Sequence, residues 1–246
     1  MLKIEQIKAI IGDEENFQIP PKLMKIVLDK KQREKMFRKF LDIETDLSYD
    51  WFHEYFMELQ ADRKGKKQDF TPTAISNTTA LLLNGDSHHE KLVTPELKST
   101  NIDAQVTDVL EPAAGTGSML IADWYHHYST LKFKFHPALL WYQAEELSDA
   151  ALPFLILNLA IRGINGVIIH GDSLNRKVKN IYYLRNQGKA DDEHGVLNSG
   201  ILTALGIETE PRLAYDDPFK FSDVFKMPKT DELKQMYQVE EWDSNY

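Results

Sequence analysis

Val109-Leu110-Glu111-Pro112-Ala113-Ala114-Gly115-Thr116-Gly117-Ser118 is the stretch on which the reading of this chain turns. An apolar pair ends on an acid, two glycines flank a threonine, and a helix-compatible run from Ser118 to Tyr128 follows. Glycine accepts backbone angles closed to other residues and lets the chain approach a ligand, while the first turn of a helix offers unpaired N–H groups. The stretch reads as a strand, a ligand-facing turn and a helix start. Taken alone it also fits a turn that needs glycine for steric reasons. The third glycine of a dinucleotide fingerprint is missing, with Leu120 in its place.

The pattern on either side extends this unit. Thr71-Pro72 pairs a helix cap with a first-turn proline and predicts a helix to Leu83, ended by Asn84-Gly85. A strand is predicted over Val106–Leu110, another over Ala138–Gln143, a helix over Asp149–Arg162 stopped by Gly163, and a strand over Val167–His170. Such alternation predicts an α/β, Rossmann-like parallel sheet covered on both faces. Ile181–Leu184 is a candidate fourth strand, which leaves the sheet truncated. Before Gly65 the texture is helical: Leu23, Val27, Phe37 and Leu41, then Trp51, Tyr55 and Leu59 after a cap at Ser48, recur at spacings close to four. The chain divides into a helical region over 1–64, a core over 65–190 and an acidic extension over 191–246. The tail from Phe221 to Tyr246 is expected to pack on the core as a short helix and an extended segment.

Composition narrows the function classes. The chain has 246 residues, 42% of them hydrophobic, enough for one sizeable core with a helical annex. It has no cysteine, which excludes disulfides, thiolate nucleophiles and Cys-ligated metal. No segment reaches the roughly 20 apolar residues of a membrane span and the N-terminus carries acids, so no membrane is expected and cytoplasmic residence fits. His88-His89 and His126-His127 point apart on regular structure, and no metal is expected. No Gly-x-Ser-x-Gly elbow and no Walker loop occur. The net charge of −9 is concentrated: residues 190–246 hold 5 basic and 13 acidic groups. Such a segment cannot hold nucleic acid by phosphate neutralisation. Contact with a polyanion would fall to the basic helix after Pro20-Pro21 or to Arg63, Lys64, Lys66 and Lys67, which read equally as solvated faces.

Two more acids end predicted strands. Gln143-Ala144-Glu145-Glu146 closes the second strand and Gly171-Asp172-Ser173-Leu174 the third. A carboxylate at the second strand end suits the two hydroxyls of a ribose, and one at the third suits an adenine amino group. Each acid alone fits a cap or a solvated loop. Three acids ending three successive strands favour a nucleoside crevice.

Together these segments resemble the adenine-specific DNA methyltransferases, most closely the modification subunits of type I restriction–modification systems. The family's Gly-Gln-Phe-Phe-Thr-Pro-like segment is similar to Gly65 to Pro72, which ends Gln68-Asp69-Phe70-Thr71-Pro72. Its Asp-Pro-Ala-Cys-Gly-Thr-Gly-Gly-Phe-Leu turn matches Glu111 to Leu120, with Glu, Ala, Ser and Met at the differing places. Its Gly-Gln-Glu-Ile, Asn-Leu-x-Leu-x-Gly and Gly-Asp-Thr-Leu segments match Ala144 to Leu147, Asn158 to Gly163 and Gly171 to Leu174. The resemblance implies binding of S-adenosylmethionine. Phe70, Thr71 and Pro72 would border it, and Glu111, Pro112, Ala113 and the Gly115-Thr116-Gly117 turn would cradle its methionine part. Glu146, or Glu145 if the register is one residue off, would hold the ribose. Asp172, followed by Ser173, would meet the adenine.

The family's catalytic Asn/Asp-Pro-Pro-Tyr/Phe is absent. The exocyclic amine of adenine is a weak nucleophile, so the family's site accepts its hydrogens while the flipped base stacks on the aromatic residue. Two degenerate candidates remain: Asn186 after the fourth strand, and Asp216 with Pro218 and Phe219 in Tyr215-Asp216-Asp217-Pro218-Phe219. The resemblance therefore implies methyl transfer to adenine in DNA, with specificity from a partner subunit, or a cofactor-binding regulatory or assembly protein without catalysis.

Overall fold

Glu111, Glu146 and Asp172 are the last residues of three adjacent parallel strands, β1 (Thr107–Glu111), β2 (Leu140–Glu146) and β3 (Gly166–Asp172). The computed structural model describes residues 2–12, 17–61, 71–84, 107–131, 140–186 and 221–246. Helices α1 (Ile4–Ile11), α2 (Ile19–Leu28), α3 (Lys30–Leu41), α4 (His53–Ala61) and α5 (Thr73–Leu83) precede β1. Helix α6 (Ser118–Leu131) lies between β1 and β2, and α7 (Leu152–Ile161) between β2 and β3.

The sheet continues with β4 (Lys177–Arg185) and β5 (Asp223–Lys226), in the order β1-β2-β3-β4-β5. Strand β4 runs antiparallel to β3, and β5 antiparallel to β4. The expected sheet was parallel throughout; the observed one is α/β but mixed. Four residues, Ser173 to Arg176, separate β3 from β4, too few for the crossover that parallel strands require. Arg176 completes the reversal with φ 56°, a left-handed conformation in a residue that rarely adopts it. After β5 the chain forms α8 (Asp231–Met236) and β6 (Glu241–Trp242), which pairs with the start of β4.

Helix α7 is apolar on every face except at Asn158, and each of its ten residues is buried. It lies between one face of the sheet and the N-terminal helices, as such a composition demands. The Phe154 ring meets Phe52, Tyr55 and Phe56 at centroid distances of 5.5, 5.9 and 5.8 Å. Ile19, Leu23 and Val27 of α2 and Phe37 and Phe40 of α3 join the same core as Tyr142, Ala144, Ile168, Tyr182 and Leu184 of the sheet. Each such ring or branched side chain contributes about 2 kcal/mol by burial, so the N-terminal helices and the sheet share one cohesive interior.

Strand alternation sends Val167, Ile169, Ile181 and Tyr183 to the opposite face, where Met227, Leu233, Tyr237 and Val239 cover them. The acidic tail is thus the second layer over the sheet. Thr230 caps α8 by accepting from the Leu233 N–H at 3.3 Å, and the Tyr183 and Tyr237 hydroxyls meet at 2.8 Å. Helix α4 begins at His53, later than a Ser48 cap predicts, and the turn before it is closed by Asp50, whose Oδ1 accepts from the Phe52 N–H at 2.9 Å.

Candidate functional site

Strand β1 ends at Glu111, and the chain then turns through Pro112 to Gly117 before α6 begins. Gly115 and Gly117 have φ 57° and 101°, both in the left-handed region that favours glycine. A Cβ on Gly117 would also stand 3.0 Å from Leu155 Cδ1 of α7. The turn is tied to the next strand by two bonds: the Ala114 N–H donates to the Glu145 carbonyl at 2.9 Å, and the Gly115 N–H donates to Glu146 Oε2 at 2.7 Å.

Glu145 and Glu146 point to opposite faces of β2. Glu145 Oε2 accepts from Arg176 Nη1 at 2.6 Å, on the side covered by the tail, where Arg176 Nη2 also donates to the Tyr237 carbonyl at 2.6 Å. Glu146 lies on the other side, beside the glycine turn, with Oε1 accepting from the Ser148 N–H at 2.6 Å. Burial raises the Glu146 carboxyl above the usual range, and the N–H groups of Ser148 and Gly115 oppose that shift. Asp172, at the tip of β3, accepts from the Leu174 N–H at 2.9 Å and from Asn175 Nδ2 at 2.8 Å. It holds the β3–β4 turn while its carboxylate faces the same opening. Gly171 permits the close pairing of β3 with β4: a Cβ there would lie 2.5 Å from the Lys177 carbonyl oxygen and 2.8 Å from Val178 Cα, in the backbone at the start of β4.

A cavity of about 580 Å³ opens across these three strand ends. Of the residues expected from the sequence, Thr71, Glu111, Pro112, Ala113, Gly115, Glu146, Asp172 and Ser173 line it. Pro72, Thr116, Gly117 and Glu145 are not among its lining residues, and Phe70 lies outside the described residues. Thr116 is buried with its hydroxyl turned away from the opening, toward Asp50 Oδ2. Leu147, Leu174 and Met119 are lining residues that motif spacing did not single out. Their signal was adjacency: Leu147 follows the strand-end Glu146, Leu174 the turn residue Ser173, and Met119 the helix-opening Ser118.

Asn186 is elsewhere. Its N–H donates to Asn165 Oδ1 at 2.6 Å, its Nδ2 donates to the Gly163 carbonyl at 3.1 Å, and Asn165 Nδ2 donates back to its carbonyl at 3.0 Å. Gly163 and Asn165 precede β3, so Asn186 sits at the opposite end of that strand from Asp172, about 20 Å away at the usual rise per residue. The expectation that Asn186 stands where a catalytic amide should stand is corrected. The cause is the antiparallel course of β4, which carries its C-terminal end away from the cavity. Asp216, Pro218 and Phe219 lie outside the described residues.

Among the described residues no group of three or more histidine, aspartate or glutamate side chains converges as a metal site. No helix among them is long and apolar enough to cross a membrane. The family model described as N-6 DNA Methylase matches residues 45–198, more than half of the chain. No curated protein and no solved structure matches it.

Proposed function

The chain belongs to the N-6 DNA methylase family, whose members depend on S-adenosylmethionine, and from that membership we propose that the cavity at the tips of β1, β2 and β3 binds this cofactor for transfer of its methyl group to the exocyclic amine of adenine in DNA. The observation that carries the proposal is the Glu146 carboxylate beside the glycine turn. Each of its oxygens accepts one backbone N–H, from Gly115 and from Ser148. A carboxylate has about four acceptor sites, so one on each oxygen is left for the two hydroxyls of a ribose.

The rest of the lining fits the same ligand. Leu147 and Leu174 are exposed at the opening and offer apolar surface to a planar base, next to the Asp172 carboxylate that would accept from its amino group. Ala113 and Gly115 present small residues beside the start of α6, where the methionine end would rest. Bound there, S-adenosylmethionine supplies an electrophilic methyl group on sulfur. The chain's own task is to hold the nucleoside at Glu146 and Asp172, to fix the methionine end at the turn, and to accept a proton from the adenine amine. For that last role Asp216, with Pro218 and Phe219 as neighbours, is the remaining candidate.

A second reading is favoured by Asn186, which is committed to the far end of β3. In it the chain binds the cofactor as a regulatory or assembly subunit and a partner supplies the proton acceptor and the DNA specificity. Calorimetric titration with S-adenosylmethionine tests the binding claim shared by both readings, and no heat at millimolar ligand overturns it. Transfer of tritiated methyl to unmethylated DNA, by the chain alone and with cellular partners added, separates them. Transfer by the chain alone, abolished by Asp216→Ala, supports the first; transfer only with partners supports the second.

A further inference from the structure

Asp50 belongs to the segment between α3 and α4, 66 residues before the glycine turn, yet it is the group on which the back of that turn is fastened. Its carboxylate is buried, with 7% of the residue exposed. Oδ2 accepts from Thr116 Oγ1 at 2.5 Å and from Ser118 Oγ at 2.8 Å. Oδ1 accepts from the Phe52 N–H at 2.9 Å and from Asn158 Nδ2 at 2.7 Å. All four acceptor sites of the carboxylate are filled, one by its own loop, one by α7 and two by the turn and the helix start beyond it.

The same network grips the turn's backbone. Asn158 Nδ2 also donates to the Thr116 carbonyl at 2.7 Å. Arg162 Nη1 donates to Asn158 Oδ1 at 3.1 Å and to the Asn158 carbonyl at 2.7 Å, while its Nε and Nη2 donate to the Leu47 and Tyr49 carbonyls. Arg162 orients the amide of Asn158, and it also holds the loop that presents Asp50. Thr116, between two left-handed glycines, is the turn's anchoring side chain on this side.

We propose that Asp50 is a positioning residue for the cofactor: with Asn158 it fixes the shape of the Gly115–Gly117 turn from behind, and thereby sets affinity for the amino-acid end of S-adenosylmethionine. The inference rests on the reading of the cavity given above. The turn is held between two carboxylates, Glu146 on the cavity side through the Gly115 N–H and Asp50 on the buried side through Thr116 and Ser118. The negative charge of Asp50 also lies at the N-terminal end of α6, where a helix favours an anion. A neutral amide of the same size offers a single oxygen. It must either face the N–H groups of Phe52 and Asn158 with a donor or reverse the hydroxyls of Thr116 and Ser118. Either rearrangement loosens the turn and leaves Glu146 and Asp172, the nucleoside side of the site, in place.

The test compares two ligands in calorimetric titrations of the full chain and its Asp50→Asn variant. S-adenosylhomocysteine carries the amino-acid end; 5′-methylthioadenosine lacks it. The expected result is a loss of about 10-fold or more in affinity for S-adenosylhomocysteine, as when a charge-assisted bond network is broken, with affinity for 5′-methylthioadenosine changed by less than about twofold. Thr116→Val, which removes one hydroxyl without changing volume, is expected to shift selectivity in the same direction by a smaller factor. It carries the test if Asp50→Asn does not fold. Equal losses for both ligands, or no loss for either, overturn the proposal. A wild-type chain that binds neither ligand overturns the cofactor reading itself, and with it this inference.

Discussion

The Tyr246 hydroxyl donates to Asp149 Oδ1 at 2.8 Å across 97 residues of sequence, joining the tail to the loop that follows Glu146. Lys179 Nζ reaches both oxygens of Asp149 at 3.0 Å, donates to the Leu147 carbonyl at 3.2 Å and lies 4.7 Å from the centre of the Tyr246 ring. Because Leu147 lines the cavity, Tyr246 is mechanically connected to the site, although no residue of 221–246 lines it. Tyr246→Phe keeps the ring and removes the bond, and it is expected to cost about 0.5–1.5 kcal/mol in urea unfolding. Faster hydrogen exchange confined to residues 147–149 would locate the loss; an unchanged exchange pattern would count against the connection.

Glu145 and Glu146, adjacent in sequence, are expected to fail in different ways. Glu146→Gln removes the carboxylate at the cavity and should weaken binding of 5′-methylthioadenosine by about 10-fold, with a smaller change in stability. Glu145→Gln leaves Arg176 without its anion in a largely buried setting and should lower stability by about 2 kcal/mol while ligand affinity holds. Paired calorimetry and thermal melts check both. A ligand defect in the Glu145 variant equal to that of Glu146 would contradict the division of the two faces.

His170 gives the fold a pH dependence of definite sign. It is buried beside Lys179, and these two effects hold its imidazole down to about 4 even though Asp149 Oδ1, 3.1 Å away, pulls the other way. The unfolded chain binds a proton near pH 6.5 and the folded chain does not until about pH 4, so the unfolded state takes up more protons between those values. The contribution of His170 is fully present above pH 6.5 and is lost as pH falls toward 4, by up to about 3 kcal/mol. Urea midpoints at pH 7.5 and 5 should differ more for the native chain than for His170→Gln. Equal differences in the two proteins would remove His170 as the cause.

Asn186→Ala should destabilise the chain by about 1–3 kcal/mol, since it removes the buried side-chain amide that donates to the Gly163 carbonyl while Asn165 keeps its two bonds to the backbone of residue 186. Affinity for S-adenosylmethionine is expected to stay within about twofold of the native value, because a residue so far from the strand tips has no path to the ligand. A variant that folds normally but loses binding would show that the far end of β3 matters to the site after all.

The front of the site was legible because its signals are local. A strand ending in an acid, glycines before a helix, and two further strand-end acids each occupy a few consecutive residues, and eight of the residues so chosen line one cavity. The reversal at β4 was not legible, because the turn that makes it has Arg176, not glycine, in the left-handed position. That substitution is supported from outside the turn, by Glu145 and the Tyr237 carbonyl. Asp50 was invisible for a related reason. Its partners are Thr116, Ser118 and Asn158, and nothing in the spacing of an aspartate to residues 66, 68 and 108 positions away marks a bond.

The burial of α7 bears on how the protein is born. Phe52, Tyr55 and Phe56 leave the ribosome well before the ring they pack on, for Phe154 follows Phe56 by 98 residues. With synthesis at roughly 5–20 residues per second, these rings have only the other N-terminal helices, Phe40 among them, to pack on for seconds before Phe154 is made. The burial of those rings is therefore completed only once Leu152–Ile161 has been made, so the N-terminal helices and the sheet mature as one unit.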